Sequence, residues 1–262
     1  MHQQRGPHAS PGPQVYGPAV PRRHPPRRRG AIRSAAAVLP LALLVACEPA
    51  DTGERSAVRT DLITRATATA PGGTGGRTAT ASRGSARTYR GTGSKVLELR
   101  KSDRREIWLV TLTHDGRSNF VVTPLASGGG PRASIVNEIG RYQGTVLLNE
   151  RTGDETAALR VEADGAWTVT LKPLSMARVW SGGRVTGRGD DVLALVPPNK
   201  GLTVVEMRHS GRANFIVQAY RAGDVEYLVN EIGTWRGEVP LPKGTILITV
   251  DADGDWTFRK LG

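Results

Sequence analysis

The chain has 262 residues, with 36 Lys and Arg against 24 Asp and Glu, 5% aromatic residues and a single Cys. One Cys excludes an internal disulfide framework and a Cys-rich zinc site, and the lack of any apolar run of 18 residues excludes a membrane-spanning helix in the mature protein. Residues 93–262 hold 22 basic and 20 acidic residues, so the excess charge lies before them and they carry no basic stripe suited to phosphates. We therefore expect no nucleic-acid partner.

Residues 1–46 have the layout of an export signal. Six Arg lie between Arg22 and Arg33, and the apolar stretch 34–46 follows directly. A charged segment followed by a short apolar one is typical of a signal peptide, and about a dozen apolar residues are too few to cross a ~30 Å hydrocarbon layer. The pair Arg28-Arg29 leaves twin-arginine export open beside the general route.

The stretch Leu44-Val45-Ala46-Cys47 resembles the lipobox of bacterial lipoproteins. The resemblance implies that a dedicated peptidase cuts before Cys47 after a diacylglyceryl thioether has formed on its sulfur. It predicts an extracytoplasmic protein held on the cell membrane by lipid chains at its amino terminus. The alternative is a soluble secreted protein whose Cys is coincidental.

Residues 47–92 predict a disordered tether after the lipidated Cys. Thr, Ala, Gly, Arg and Ser dominate this segment, and its apolar residues show no period. Such a composition buries too little apolar surface to offset the entropy of ordering the chain.

The remaining chain repeats itself. The sequence Val-Asn-Glu-Ile-Gly occurs at 136–140 and 229–233, and similar pairs of segments lie at 114–122 and 209–217 and at 161–168 and 250–257. These offsets of 89–95 residues predict two units, 93–180 and 181–262. A single larger domain formed by both units remains the alternative, because the segment between them is short.

Each unit predicts short β-strands separated by turns that contain Gly and Asp. In the first unit we expect strands near 95–100, 106–113, 118–125, 132–139, 143–149, 157–162 and 167–172, and no segment has a helical apolar period. The predicted fold is all-β, with two tandem antiparallel β-sandwiches of jelly-roll or immunoglobulin-like type after a disordered amino-terminal region. Residues 175–189 would join them, with an extra strand at 177–180.

The loops predict hairpins. A three-residue loop at 163–165 would pair Trp167 with Val161 and bring their apolar side chains together. The same rule at 114–116 pairs Phe120 with Val110. It extends to the equivalent loops of the second unit.

Several side chains are candidates for ligand binding. His114 and His209 open tight turns and are each followed five residues later by an Asn, Asn119 or Asn214. These groups either form a polar site at the rim of each sandwich or hydrogen-bond the backbone of their own turns.

Two aromatic residues form the second candidate group. Tyr142 and Trp235 lie between glycines, and Arg141 or Arg236 flanks each ring. An accessible ring could stack on a sugar, whereas a packed ring would close the end of the sandwich.

Catalytic and metal motifs are missing from the sequence. No HExxH, nucleophile elbow or Gly-rich phosphate loop occurs, and the Asp residues at 251, 253 and 255 do not match a calcium loop. We therefore expect no enzyme activity, no metal and no cofactor.

The units are similar to secreted domains of unknown function from high-GC Gram-positive bacteria. Together these observations predict a non-catalytic surface lipoprotein whose repeats bind a cell-envelope ligand, either a glycan or a protein. A hydrolase with an unrecognised His/Asp site and a purely structural spacer are the alternatives.

Overall fold

The computed structural model describes Arg59 and residues 85–261. The predicted signal peptide, Cys47 and most of the predicted tether lie outside the described residues. The described chain is almost entirely β-structure with two short 3-10 turns, at Lys101–Asp103 and Leu174–Met176. No helix in the described part is long and apolar enough to cross a membrane.

The first repeat contains eight antiparallel strands in two sheets. The strands are β1 (Arg87–Thr92), β2 (Lys95–Glu98), β3 (Trp108–His114), β4 (Asn119–Leu125), β5 (Val136–Ile139), β6 (Tyr142–Leu148), β7 (Ala158–Glu162) and β8 (Ala166–Pro173). One sheet has the order β1-β8-β3-β6 and the other has the order β2-β7-β4-β5. The first strand pairs with the last, and each following pair lies inside the previous one in chain order: β1/β8, β2/β7, β3/β6 and β4/β5. This pairing is that of a jelly roll.

The second repeat has the same topology. After the short strand β9 (Arg178–Val179) come β10 (Arg184–Arg188), β11 (Asp191–Ala194), β12 (Thr203–His209), β13 (Asn214–Arg221), β14 (Asp224–Ile232), β15 (Trp235–Leu241), β16 (Leu247–Ala252) and β17 (Asp255–Leu261). Its sheets have the orders β10-β17-β12-β15 and β14-β13-β16-β11-β9. The predicted extra strand is present as β9, which pairs in parallel with β11. The predicted all-β fold with two tandem sandwiches is thereby confirmed.

Strand β1 lies in residues that the composition assigned to the tether. Its inward-facing Tyr89 packs on the first core, and a Cβ at Gly91 would lie 2.3 Å from the Trp167 ring. The strand therefore carries a glycine where a partner ring needs room, and its other residues are mostly polar. This is why β1 shows little apolar alternation, and the first repeat begins at Arg87 and not at residue 93.

The predicted hairpins are wrong. Strand β7 pairs with β2 and β4, and β8 pairs with β1 and β3, so Trp167 lies beside Gly91 and not beside Val161. The loops 114–116 and 163–165, and their equivalents in the second repeat, cross from one sheet to the other. The apolar residues before and after each loop therefore face one another from opposite sheets of the sandwich. Such an arrangement needs the same alternation of apolar and polar residues as a hairpin within one sheet.

A third apolar core joins the two sandwiches. Besides one core inside each repeat, a separate cluster combines Ile107, Leu109 and Leu147 of the first repeat with residues of the second. The second repeat contributes buried side chains that include Val192, Ala194, Tyr220, Ile246 and Leu247. The described residues, Arg59 and 85–261, accordingly belong to one compact unit. Of the two arrangements that the sequence left open, the chain adopts two sandwiches within one unit.

The shared core predicts unequal effects at two equivalent positions. Ile107 is 2% exposed within it, whereas Leu202, which precedes the matching strand of the second repeat, is 83% exposed. Ile107→Ala is expected to lower the free energy of unfolding by about 2–4 kcal/mol, and Leu202→Ala by less than about 0.5 kcal/mol. Urea unfolding of residues 53–262 measures both. Equal losses, or two separate transitions in the parent protein, would contradict a structural role for the shared core.

Candidate functional site

His114 fastens three loops at one end of the first sandwich. Its side chain is fully buried, and its ring is stacked on Phe120 with centroids 4.6 Å apart. Nδ1 lies 2.7 Å from the carbonyl oxygen of Gly140 in the β5–β6 turn, and the backbone N–H of Gly165 points to Nε2 at 3.3 Å. The imidazole thus holds the β5–β6 and β7–β8 loops against its own.

The carboxylate of Asp164 adds further contacts between these loops. Asp164 Oδ1 lies 3.2 Å from His114 Nε2, while its Oδ2 accepts hydrogen bonds from the backbone N–H groups of Arg117 and Ser118, each at 3.0 Å. The hydrogen bond from the Arg117 N–H is the main reason that the pKa of Asp164 is lowered. The loop that carries Asp164 is therefore tied directly to the β3–β4 loop.

The second repeat reproduces the arrangement. His209 is fully buried and stacked on Phe215, with its Nδ1 2.8 Å from the Gly233 carbonyl and its Nε2 3.4 Å from Asp253 Oδ1. Asp253 accepts the backbone N–H of Arg212 at 2.8 Å. Desolvation opposes the charged form of this carboxylate, but the backbone hydrogen bonds outweigh it and lower its pKa.

These contacts indicate that both imidazoles hold loops together. A general base must reach the proton that it takes from a substrate, and both imidazoles are sealed from solvent. The backbone partners lie mainly in other loops, and not in the turns that the histidines open. Both imidazoles are buried, although His114 contributes to the wall of the groove described below, and they fix the rim on which exposed residues stand.

The rings of Tyr142 and Trp235 close the sandwich ends. Tyr142 packs on Phe120 and Trp235 packs on Phe215, with centroids 5.6 and 5.9 Å apart. Each ring also covers the glycine two residues further on. A Cβ at Gly144 would lie 2.4 Å from the Tyr142 oxygen, and a Cβ at Gly237 would lie 2.6 Å from the Trp235 ring. The glycines therefore make room for the packed rings, which are half-buried.

Tyr142 also links the two repeats. Its hydroxyl donates a 2.5 Å hydrogen bond to Asp190 Oδ2, and Asp190 Oδ1 accepts the backbone N–H of Ala252 at 3.0 Å. Desolvation and the Asp190 charge raise the pKa of Tyr142, so the phenol stays protonated and remains a donor.

Four carboxyl groups gather at this junction. They belong to Glu138, Asp190, Asp251 and Asp253. Desolvation, followed by the charges of Asp190, Glu138 and Asp253, raises the pKa of Asp251 to about 6. Desolvation also raises the pKa of Glu138 and of Asp190. Within the described part of the chain, no set of three or more His, Cys, Asp or Glu side chains could hold a metal ion.

An open groove of about 950 Å³ lies beside this junction. The first repeat supplies Arg90, Thr113, Arg141, Tyr142, Gln143 and Thr168 among its lining residues, and the second repeat supplies Arg188, Gly189, Ala252 and Asp253. Neither the Arg90 nor the Arg141 side chain has a hydrogen-bond or ion-pair partner among the described residues. The groove therefore offers free guanidinium donors beside hydroxyl and amide groups.

The structure separates the remaining candidate residues. Arg141 and Tyr142 line the groove, whereas Trp235 and Arg236 do not. Arg236 instead forms an ion pair with Glu206 at 3.0 Å. Asn119 and Asn214 begin strands β4 and β13 and are exposed. Arg90 and Arg188, which border the groove, were missed because only the fold brings them to it.

Comparisons with known proteins give no family. No family model matches the sequence, and no curated protein matches it. Among solved structures, the turret protein A223 of Sulfolobus turreted icosahedral virus aligns over 68% of this chain and 98% of its own, with 9% identity and a TM-score of 0.20.

The carboxyl cluster predicts a pH-dependent stability. Because the pKa of Asp251 is raised in the folded state, its stabilising contribution is present below about pH 3.8 and is lost as the pH rises through about 6. Asp251→Asn should therefore raise the free energy of unfolding at pH 7 and should have little effect near pH 3.5. The gain should be about 0.5–1 kcal/mol, because the carboxyl group is only partly desolvated and water still screens its charge.

Asp255→Asn is the matched control, because Asp255 forms an ion pair with Arg188 at 3.3 Å. It should give no gain at pH 7. Thermal or urea unfolding at both pH values measures the difference, and an Asp251→Asn effect that is equal at pH 3.5 and pH 7 would refute the assignment.

Proposed function

We propose that this chain is a non-catalytic lipoprotein of the cell surface whose jelly rolls bind a glycan of the cell envelope. The observation that carries the proposal is the groove at the junction of the repeats. It is partly open to solvent, its lining mixes arginine, threonine, glutamine and carboxylate side chains with apolar ones, and it contains the candidate residues Arg141 and Tyr142. A partly open groove of mixed lining suits a segment of a polymer better than a small apolar ligand.

The donors in the groove match hydroxyl-rich ligands. Arginine offers several N–H donors in a fixed plane, while threonine and glutamine both donate and accept. Tyr142 is held in place by its bond to Asp190 and by its packing on Phe120. The half-buried ring would thus form part of the groove wall, and the free side chains of Arg90 and Arg141 would make the polar contacts.

The lipobox-like sequence before Cys47 supports a membrane anchor. A lipidated amino terminus would place the compact unit outside the cell membrane, within reach of the envelope. Two or three acyl chains give lasting attachment, because each buried CH₂ group contributes about 0.8 kcal/mol.

Two arginine pairs test the groove. Arg90→Ala with Arg141→Ala removes two groove donors, whereas Arg100→Ala with Arg184→Ala removes two exposed arginines that do not line the groove. Cosedimentation of residues 53–262 with purified cell walls should show an apparent Kd raised about tenfold or more by the groove pair and within about twofold of the parent for the control pair. Equal losses would indicate general charge attraction, and no loss in either would exclude the groove.

A separate substitution tests the anchor. Cys47→Ser in the full chain removes the sulfur that would carry the lipid. The variant should move from the membrane fraction to the soluble fraction, and metabolic labelling with a fatty acid should no longer mark the protein. Unchanged labelling or unchanged membrane fractionation would contradict lipidation at Cys47.

A further inference from the structure

The exposed residues of the two repeats differ at many equivalent positions but are identical at six of them. Equivalent positions that are exposed in both repeats and hold different residues include Thr88/Arg184, Arg90/Thr186, Asp115/Ser210, Ser118/Ala213, Arg141/Thr234, Gln143/Arg236 and Ala166/Asp255. The exposed positions that hold the same residue are Arg117/Arg212, Asn119/Asn214, Asn137/Asn230, Glu138/Glu231, Ile139/Ile232 and Asp164/Asp253. Many exposed positions have thus changed since duplication, and this set has not.

Contacts within the fold explain why the residue is the same in both repeats at only one of these six position pairs. Asp164 and Asp253 hold loops together through backbone amides, as described above. The side chains at the other five position pairs form no hydrogen bond or ion pair with any described residue. Ile139 and Ile232 are 76% and 78% exposed, although isoleucine gains stability by burial.

The strand register places four side chains of each repeat together. Asn119 lies opposite Ile139, and Val121 lies opposite Asn137, on the outer face of strands β4 and β5. The result is a checkerboard of two carboxamides and two β-branched apolar groups, with the two amides on a diagonal of about 7–8 Å. We call it the checkerboard patch of the first repeat.

The second repeat carries an equivalent checkerboard patch, with isoleucine in place of valine at one of its four positions. Asn214 lies opposite Ile232, and Ile216 lies opposite Asn230, on strands β13 and β14. Arg117 and Arg212 stand in the adjacent loops, where backbone bonds to Asp164 and Asp253 hold the chain. Ile139 also borders the groove, but Ile232 does not, so the second patch is independent of the groove.

We propose that each checkerboard patch binds one unit of a glycan chain, so that the protein holds the polymer at two equivalent sites. This proposal adds two binding sites to the proposed function and rests on that function for the nature of the ligand, an envelope glycan. Each carboxamide can donate to one sugar hydroxyl and accept from another. The β-branched side chains between them give apolar contact to the C–H face of a pyranose ring.

Duplication of the patch points to a repeating ligand. Two equivalent patches in one protein suit a partner that presents the same chemical group twice, and a polymer does so along its length. Binding at the first site raises the effective concentration of the second, which adds affinity of about 10²–10⁴-fold without new contacts. Loss of either patch should therefore weaken binding greatly.

The test uses peptide-free glycan strands prepared from purified cell walls, and residues 53–262. One variant carries Asn119→Ala with Asn137→Ala, a second carries Asn214→Ala with Asn230→Ala, and a third carries all four changes. The control is Ser118→Ala, an exposed substitution that lies between Arg117 and Asn119 and gives the residue of the other repeat. Because all these side chains are exposed, each variant should keep the unfolding midpoint of the parent, which calorimetry confirms before binding is measured.

Either double variant should raise the apparent Kd for glycan strands at least tenfold, the fourfold variant should abolish binding, and Ser118→Ala should bind like the parent. Unchanged affinity in both double variants overturns the proposal. If the Arg90→Ala and Arg141→Ala variant nevertheless loses binding in the same assay, glycan binding by the groove remains supported. A parent protein that binds intact walls but not peptide-free strands also overturns it, and would assign the patches to a protein or peptide partner.

Discussion

The apolar contact between the two sandwiches determines what the rest of the molecule can present. Ile107, Leu109 and Leu147 extend from the outer face of one sheet of the first repeat and are covered by the second repeat. That contact fixes the β10–β11 connection against the rim of the first repeat, where Asp190 accepts the hydroxyl of Tyr142. The groove, the carboxyl cluster and the position of Arg188 all follow from it, because none exists within a single repeat.

The duplication and the strand content could be predicted from the sequence, but the strand partners could not. Alternating apolar residues identify an inward face, and Trp167 and Val161 do share the first core. Alternation carries no information on whether two such residues are neighbours in one sheet or face each other from opposite sheets. The loops resemble hairpin turns in composition, but the buried His114 and the exposed Asp164 together hold them as crossings between sheets.

The candidate site was predictable in part for a similar physical reason. The aromatic residues between glycines were recognised correctly as a special feature, and one of the two interpretations, a ring that closes the sandwich end, agrees with the packing of Tyr142 on Phe120. Asn119 and Asn214 were identified beside the histidines. Asn137 and Ile139 were not, because their exposure depends on the register of an edge strand. Identity between repeats becomes informative only when burial shows which identities the fold already requires.

Comparison of equivalent faces shows how far the repeats have diverged where they are free to do so. On the outer face of the first repeat, threonine hydroxyls bond in pairs, with Thr111 and Thr145 at 3.0 Å and Thr113 and Thr168 at 2.7 Å. In the second repeat, the position equivalent to Thr111 is Glu206. Glu206 bonds Arg208, Arg236 and Arg259, and the hydrogen bond from Arg208 is the main cause that lowers its pKa to about 2. The threonine pairs and the Glu206 ion pairs both give the polar side chains of this face hydrogen-bond partners, so the fold is compatible with either set of residues. The checkerboard patches have diverged less, because Asn, Asn and Ile are kept at three exposed positions of each repeat and the fourth position changes only from Val121 to Ile216. Binding of the same ligand unit at both patches would explain this retention.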